Sequence, residues 1–177
     1  PPRSTLFPYT TLFRSFSEVI LEESKKKAIE IALSQQKHHH LIFETWGLGK
    51  KIPYGNALTM LFSGPPGTGK TMMAEAIANT LGKKLMIANY ARIQNMYVGE
   101  TEKRIVASFK KAKEEGGVLL WDEADSMFYS RDFAGQSWDF GDVNIILQEL
   151  EKFPVVVILQ TNRKVFLNRA LDRRIPQ

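Results

Sequence analysis

A glycine-rich run over residues 64–71 carries the residue types that bind phosphate groups. It reads Gly64, Pro65, Pro66, Gly67, Thr68, Gly69, Lys70 and Thr71, and it matches the pattern G-x-x-x-x-G-K-[ST] at every fixed position. Glycines let backbone N–H groups curl around phosphate oxygens because no Cβ stands in the way. Lys70 would reach the β- and γ-phosphates of a nucleotide, and Thr71 would hold Mg²⁺.

The segments on either side of this run place it where a phosphate loop must lie. The apolar residues 57–62 predict a buried strand before the loop, and residues 72–78 predict a helix after it. The first turn of that helix, which includes Met72, would add its partial positive charge to the site. Strand, glycine loop and helix in this order are the context that the motif requires.

Two adjacent acids form a second group that could do chemistry. The apolar residues 118–121 end in Asp122 and Glu123, as expected of a buried strand whose carboxyl end faces a ligand crevice. Asp122 would coordinate Mg²⁺, and Glu123 would polarise the water that attacks a γ-phosphate. The alternative is an acidic helix start, since Asp and Glu favour first turns. The glycine loop earlier in the chain favours the phosphate chemistry.

These motifs carry a family resemblance. Residues 16–177 resemble the ATPase core of the AAA ATPases, within the AAA+ superfamily. Residues 64–71 match the Walker A motif of that family, residues 118–123 match Walker B, and residues 155–162 match a strand that ends in the sensor-1 asparagine, Asn162. The resemblance implies that Asn162 positions the attacking water. An amide beside a crevice can do this, and a turn-forming role is the alternative.

The resemblance also assigns roles to three further residues. Asn89, which ends a strand predicted over residues 84–89, matches the polar residue that holds the catalytic glutamate in check. Arg173 and Arg174 lie in the segment that carries an arginine finger, which stabilises transition-state charge in the site of a neighbouring subunit. Either arginine, or both, could act. From the residues alone, Asn89 could begin a turn and the arginines could be solvated charges.

A short aromatic segment separates protein remodellers from other phosphate-loop enzymes. Tyr97, Val98 and Gly99 match the pore loop with which AAA remodellers grip an extended polypeptide. A flat amphipathic ring can contact many side chains with little sequence preference, and glycine lets the loop move. The alternative is a Tyr and a Val packed in a helix–loop corner. A second pore loop over residues 132–141 is a further hypothesis, with Trp138 packed on the following helix as the alternative.

Two residues depart from the pattern of the family. Gln160 stands where small residues are usual, and Trp121 lies inside the Walker B strand. Size and polarity make both tolerable, and the sequence by itself explains neither of them.

The chain divides into three segments. Residues 1–15 match the translation of a DNA string that resembles a common short-read sequencing adapter, so we interpret them as artefactual sequence; a natural basic arm is the alternative. Residues 16–56 supply an N-terminal helix, predicted over residues 17–36, and a loop. Residues 57–177 are expected to form an α/β core with a parallel sheet of the phosphate-loop NTPase type, AAA+ variety, ending before the last strand and the helical lid of the family. Without them we expect weak nucleotide binding and little turnover.

Composition and resemblance together set the expected cofactors and partners. The chain has 24 basic and 19 acidic residues, and 22 basic and 19 acidic residues remain without Arg3 and Arg14 of the first segment, a balance that gives no case for nucleic-acid binding. No cysteine is present, which gives no case for a zinc knuckle and suits a cytoplasmic enzyme. No apolar run approaches the length of a membrane span. The resemblance implies Mg²⁺-ATP hydrolysis coupled to polypeptide remodelling in a ring, a hexamer in this family. The alternatives are a nucleic-acid-directed AAA+ motor or loader and a nucleotide-gated scaffold without turnover.

Overall fold

The computed structural model describes residues 7–8, 16, 19–38, 58–93, 100–124 and 140–162. Within them a five-stranded sheet is flanked by helices. None of the helices in this part of the chain has the length and apolar character that a membrane crossing requires. In chain order the elements are β1 (Phe7–Pro8), α1 (Glu23–Lys37), β2 (Thr59–Ser63), α2 (Lys70–Thr80), β3 (Leu85–Asn89), α3 (Tyr90–Ile93), α4 (Glu100–Glu114), β4 (Val118–Asp122), α5 (Phe140–Lys152) and β5 (Val156–Thr161).

The sheet has the strand order β1-β3-β4-β5-β2. Strands β3, β4, β5 and β2 run parallel, whereas β1 is antiparallel to β3. The carboxyl ends of the parallel strands therefore share one edge, and this is the edge at which open α/β sheets bind ligands. The parallel α/β fold predicted from the sequence is confirmed, and the four predicted strands are present with small shifts at their ends.

Alternation along the central strands gives the sheet an apolar core on each face. In β4, Leu119 and Trp121 belong to the core that includes buried residues of α4 and α5. Val118 and Leu120 belong to the second core, which includes buried residues of α1 and α2. All four side chains are fully buried. Because both faces of the strand are covered, its residues 118–121 are all apolar. This packing fixes the position of the carboxyl end of the strand, where the two acids lie.

Trp121, which departs from the family pattern, lies in the core on the α4 side of the sheet. Its ring centroid is 6.2 Å from that of Phe109, and Phe109 is 6.2 Å from Phe153. The buried indole Nε1 has no hydrogen-bond partner among the residues described. The indole is therefore held by apolar packing, and its size fills the space between β4 and α4.

Two glycines, Gly116 and Gly117, follow α4 and lead the chain into β4. Gly116 has a φ of 61°, the left-handed conformation that commonly closes a helix. A Cβ at Gly117 would lie 3.0 Å from both the carbonyl oxygen of Lys84 and the sulfur of Met86. The close approach of the incoming chain to β3 therefore requires a glycine at this position.

Helix α1 starts later than predicted. The sequence predicted a helix over residues 17–36, but Glu22 is non-helical, with φ −55° and ψ 132°, and the helix begins after it. Among the apolar residues of the predicted helix, Ile20 and Ile31 are 99% and 52% exposed, whereas Leu33 is buried. Ile20 precedes the helix and so does not share its periodicity. Ile31 is two positions from Leu33, and residues with that spacing do not face the same way on a helix.

Strand β1 belongs to the segment interpreted as adapter sequence. Phe7 lies opposite Ile87, and Pro8 lies opposite Met86, in an antiparallel pairing with β3. Residues 9–15 lie outside the described part of the chain. A pairing of two residues does not bear on where the segment comes from, so that interpretation stays a prediction.

Candidate nucleotide-binding site

The residues between β2 and α2 form a tight glycine loop. Gly67 and Gly69 have φ values of 79° and 85°, in the left-handed region that glycine adopts without steric cost. Across the loop, Thr68 Oγ1 donates a hydrogen bond of 2.9 Å to the carbonyl oxygen of Pro65. Pro66 is exposed at the outside of the loop. The predicted glycine positions thus allow a turn sharp enough to present backbone N–H groups to one point.

Helix α2 begins where the loop ends, with Gly69 as its N-cap and no acidic residue in the first turn, which includes Met72. The first N–H groups of a helix have no partner inside the helix, and the helix dipole is positive there. Lys70 Nζ donates hydrogen bonds of 2.8 Å to the carbonyl oxygens of Gly64 and Pro65, so the ammonium group folds over the loop. Backbone N–H groups and an ammonium in one place suit a phosphate group.

The two acids lie at the end of β4, and the second of them begins a strained turn. Asp122 is the last residue of the strand, and Glu123 has a φ of 56°. The backbone N–H of Glu123 donates a hydrogen bond of 2.9 Å to Asp122 Oδ1. A residue other than glycine in this conformation costs about 1–3 kcal/mol, and such residues cluster at functional sites.

Asn89 connects β3 to this acidic turn. It lies opposite Asp122 in the parallel register. Its Nδ2 donates a hydrogen bond of 3.0 Å to Glu123 Oε2, and its Oδ1 accepts one of 3.2 Å from the backbone N–H of Arg92 in α3. Both ends of the amide are therefore engaged, and the Glu123 carboxylate is drawn towards β3. The family resemblance predicted that Asn89 acts on Glu123, and in the structure the two side chains are in contact.

Strand β5 joins the acidic turn to the glycine loop. The carbonyl oxygen of Gln160 accepts a hydrogen bond of 2.9 Å from the N–H of Ala124, and the carbonyl oxygen of Thr161 accepts one of 3.2 Å from the N–H of Gly64. Asn162 follows directly and is exposed. Because β5 lies between β4 and β2, Asn162 lies at the sheet edge between the acids and the glycine loop.

Thr71 makes a contact that the sequence did not predict. Its Oγ1 donates a hydrogen bond of 3.2 Å to Gln160 Oε1, from a helix to a strand 89 positions later in the chain. A signal was present, since Gln160 is a polar residue directly after the apolar residues 155–159. Its partner could not be identified, because no local pattern says which helix start lies beside the end of which strand.

The donor set fits a magnesium–nucleotide complex. Mg²⁺ prefers oxygen ligands, keeps several waters, and is usually bound through one or two carboxylates plus substrate phosphates. The hydroxyl of Thr71 and the carboxylate of Asp122 are ligands of this kind. Among the described residues, no group of three or more His, Cys, Asp or Glu side chains is placed to hold a metal ion. A site built from one hydroxyl and one carboxylate would take its other ligands from water and the phosphates of the nucleotide.

Two groups of predicted site residues lie outside the described part of the chain. They are the pore-loop residues Tyr97, Val98 and Gly99 and the arginines Arg173 and Arg174. The same holds for most of residues 132–141, the second pore-loop hypothesis, of which only the last two begin α5. These assignments stay predictions.

A parallel sheet with a glycine loop, a lysine at a helix start and acids on a neighbouring strand defines a phosphate-loop nucleotide-binding domain. Residues 60–177 match the family described as "ATPase family associated with various cellular activities (AAA)". The chain belongs to the AAA family.

Curated relatives are similar to this chain over part of their length. A putative 26S proteasome regulatory subunit homolog of Methanocaldococcus jannaschii is 30% identical over 168 residues, which are 92% of this chain and 43% of the relative. The peroxisomal ATPase PEX6 of Saccharomyces cerevisiae is 39% identical over 64% of this chain and 12% of its own length. The ATP-dependent zinc metalloprotease FtsH 2 of a Thermoanaerobacter species is 36% identical over 71% of this chain and 25% of its own. The chain thus spans less than half the length of these relatives.

Proposed function

We propose that this chain is the nucleotide-binding core of a cytoplasmic ATPase that hydrolyses Mg²⁺-ATP and couples hydrolysis to remodelling or translocation of a polypeptide through a ring pore. One observation carries the hydrolytic part. Neighbouring carbonyl groups of β5, those of Gln160 and Thr161, bond to the acidic turn at Ala124 and to the glycine loop at Gly64. A nucleotide phosphate held by the loop would therefore lie at the same sheet edge as Glu123.

The phosphate-binding role falls to the loop, Lys70 and Thr71. Lys70 would exchange its carbonyl partners, Gly64 and Pro65, for the β- and γ-phosphate oxygens, which carry formal charge and bond an ammonium more strongly. Thr71 and Asp122 would hold Mg²⁺, which when bound neutralises charge on the phosphate oxygens. The positive end of α2 adds to this field.

The hydrolytic role falls to Glu123, with Asn162 as its partner. Glu123 is half-buried next to Asp122 and would accept a proton from the attacking water. Asn162, exposed at the end of β5, would orient that water through its amide. The bond from Asn89 holds the Glu123 carboxylate towards β3. Release of that bond would allow the carboxylate to turn towards the water.

The ring and its substrate complete the proposal. We place Arg173 or Arg174, or both, in the site of a neighbouring subunit, where a guanidinium would stabilise transition-state charge. Tyr97, Val98 and Gly99 would line the pore of the assembled ring, a hexamer by family resemblance. A polypeptide substrate is supported by two relatives named as a proteasome regulatory subunit homolog and an ATP-dependent metalloprotease.

Replacement of Tyr97 tests whether hydrolysis is coupled to a polypeptide. In the complete protein, Tyr97→Ala should slow threading of an unfolded fluorescent substrate by about tenfold, because the loss of an aromatic contact costs roughly 1.5 kcal/mol. The rate of ATP hydrolysis should not change. Tyr97→Phe keeps the ring and should thread normally. Unchanged threading by the alanine variant, with hydrolysis intact, would remove the pore-loop assignment.

Replacement of Asn89 tests the restraint on Glu123. Asn89→Ser and Asn89→Ala both remove the Nδ2 donor, and a hydrogen bond to a charged group is worth about 1.5–3 kcal/mol. We therefore expect ATP hydrolysis without substrate to rise roughly tenfold in both variants. Serine retains an oxygen able to cap α3 at Arg92, whereas alanine does not and should lower stability by about 1 kcal/mol. Thermal unfolding separates this loss from the kinetic effect, and an unchanged basal rate in both variants would contradict the restraint.

A further inference from the structure

Gln160 makes a contact at the centre of the proposed site. It is the penultimate residue of strand β5, whose preceding residues are all apolar, and only 7% of it is exposed. Val156 and Ile158, which precede it at alternate positions, belong to the core that includes α2. Gln160 therefore points to the α2 side of the sheet, where its Oε1 lies 3.2 Å from Thr71 Oγ1.

The direction of this hydrogen bond matters for a cation. A threonine hydroxyl has one proton to donate and two lone pairs with which to accept or to coordinate. In the structure the proton of Thr71 goes to Gln160 Oε1. The lone pairs of the Thr71 oxygen are then left to coordinate a positive ion.

We propose that Gln160 is a positioning residue for Mg²⁺: it accepts the hydroxyl proton of Thr71 and so presents the oxygen lone pairs of Thr71 to the ion. This inference rests on the proposed Mg²⁺-nucleotide function and assigns a role to a residue that the family pattern does not. Groups that hydrogen-bond a metal ligand orient it and tune its affinity, and their loss typically weakens metal binding about 10- to 100-fold.

The chemistry of the side chain suits this role. The side chain of a small residue at position 160 could not reach Thr71, because the oxygen that accepts this 3.2 Å hydrogen bond is at the end of the long glutamine side chain. An amide oxygen accepts the proton of the hydroxyl, as a carboxylate oxygen at the same position could. The backbone carbonyl of the same residue holds Ala124, next to Glu123. Gln160 thus bonds both to the acidic turn and to the phosphate-loop helix.

Two substitutions at this position separate an acceptor role from a packing role. Gln160→Met keeps length and volume but removes the acceptor, whereas Gln160→Glu keeps an acceptor and introduces a charge. A packing role predicts that Met is tolerated and Glu is harmful. The positioning role predicts that Gln160→Met weakens Mg²⁺ binding and that Gln160→Glu does not.

The measurement is binding of fluorescent mant-ADP to the complete polypeptide, in EDTA and across a Mg²⁺ titration, with thermal unfolding as the check on folding. We expect Gln160→Met to raise the Mg²⁺ concentration at half effect about 10-fold or more, with little change of affinity in EDTA. Gln160→Glu should retain the Mg²⁺ dependence of the parent. If Gln160→Met does not fold, Gln160→Glu still decides, since a weaker Mg²⁺ dependence in that variant would overturn the proposal.

A double variant shows whether Gln160 acts through Thr71. Thr71→Val removes the hydroxyl at nearly constant shape and should by itself weaken the Mg²⁺ effect. Gln160→Met added to Thr71→Val should cause no further loss, because the two substitutions remove the same interaction. Additive losses would show that Gln160 acts elsewhere.

The outcomes distinguish this inference from the proposed function. If the parent protein binds mant-ADP neither with nor without Mg²⁺, the nucleotide site itself is wrong. If the parent binds with a clear Mg²⁺ dependence and Gln160→Met has the same dependence, the site stands and the positioning role of Gln160 is wrong.

Discussion

Glu123→Gln is expected to lower ATP hydrolysis by about 10²- to 10⁴-fold, the usual contribution of a positioned general base, while nucleotide binding is retained. An amide cannot accept the proton of the attacking water as a carboxylate does. The phosphate contacts proposed for Lys70 and Thr71 do not involve Glu123, so the Kd for nucleotide should stay close to that of the parent. Phosphate release and mant-ADP binding measure the two quantities separately.

The hydrogen bonds around Glu123 should survive its replacement by glutamine. The oxygen of a glutamine at position 123 can still accept the hydrogen bond that Asn89 Nδ2 donates. The hydrogen bond to Asp122 Oδ1 comes from the backbone N–H of residue 123 and does not involve the side chain of that residue. The shape of the turn should therefore survive, and what is lost is the basicity of the group. Glu114→Gln, at an exposed position of α4, removes the same charge and should leave hydrolysis unchanged. A Glu123→Gln variant that hydrolyses no less than the parent would favour a nucleotide-gated scaffold without turnover.

The sheet and the glycine loop could be predicted because their signals are local. An apolar run such as residues 155–159 defines a strand covered on both faces, and Gly67 and Gly69 permit the left-handed turns that the loop requires. Gly116 and Gly117 defined the end of α4 in the same way. Each of these features depends on neighbours in the chain, so a pattern in the sequence is enough to predict it.

The contacts within the site are of a different kind. The bond from Thr71 to Gln160 joins residues 89 positions apart, and the bond from Asn89 to Glu123 joins residues 34 positions apart. Which side chains meet depends on strand order, since β5 lies between β4 and β2 although it follows both in the chain. Family resemblance supplied the pair of Asn89 and Glu123. It could not supply Gln160, because that residue departs from the family pattern.

Lys70→Met is expected to weaken nucleotide binding by about 10- to 100-fold, as the loss of a charge-assisted hydrogen bond worth about 1.5–3 kcal/mol implies. Hydrolysis should fall further, because the ammonium also stabilises charge on the phosphate oxygens during transfer. Stability should change little, since the partners of Lys70 in the structure are the carbonyl oxygens of Gly64 and Pro65 in a loop open to water.

The control for Lys70 must remove a positive charge at a distance from the loop. Lys110→Met does so from the exposed face of α4, and it should leave mant-ADP affinity unchanged. A difference between the two variants then reports the local contact and not the net charge of the chain. Equal affinities would mean that the loop N–H groups and the start of α2 hold the phosphates without Lys70, because those backbone donors are the remaining anion-binding groups of the loop.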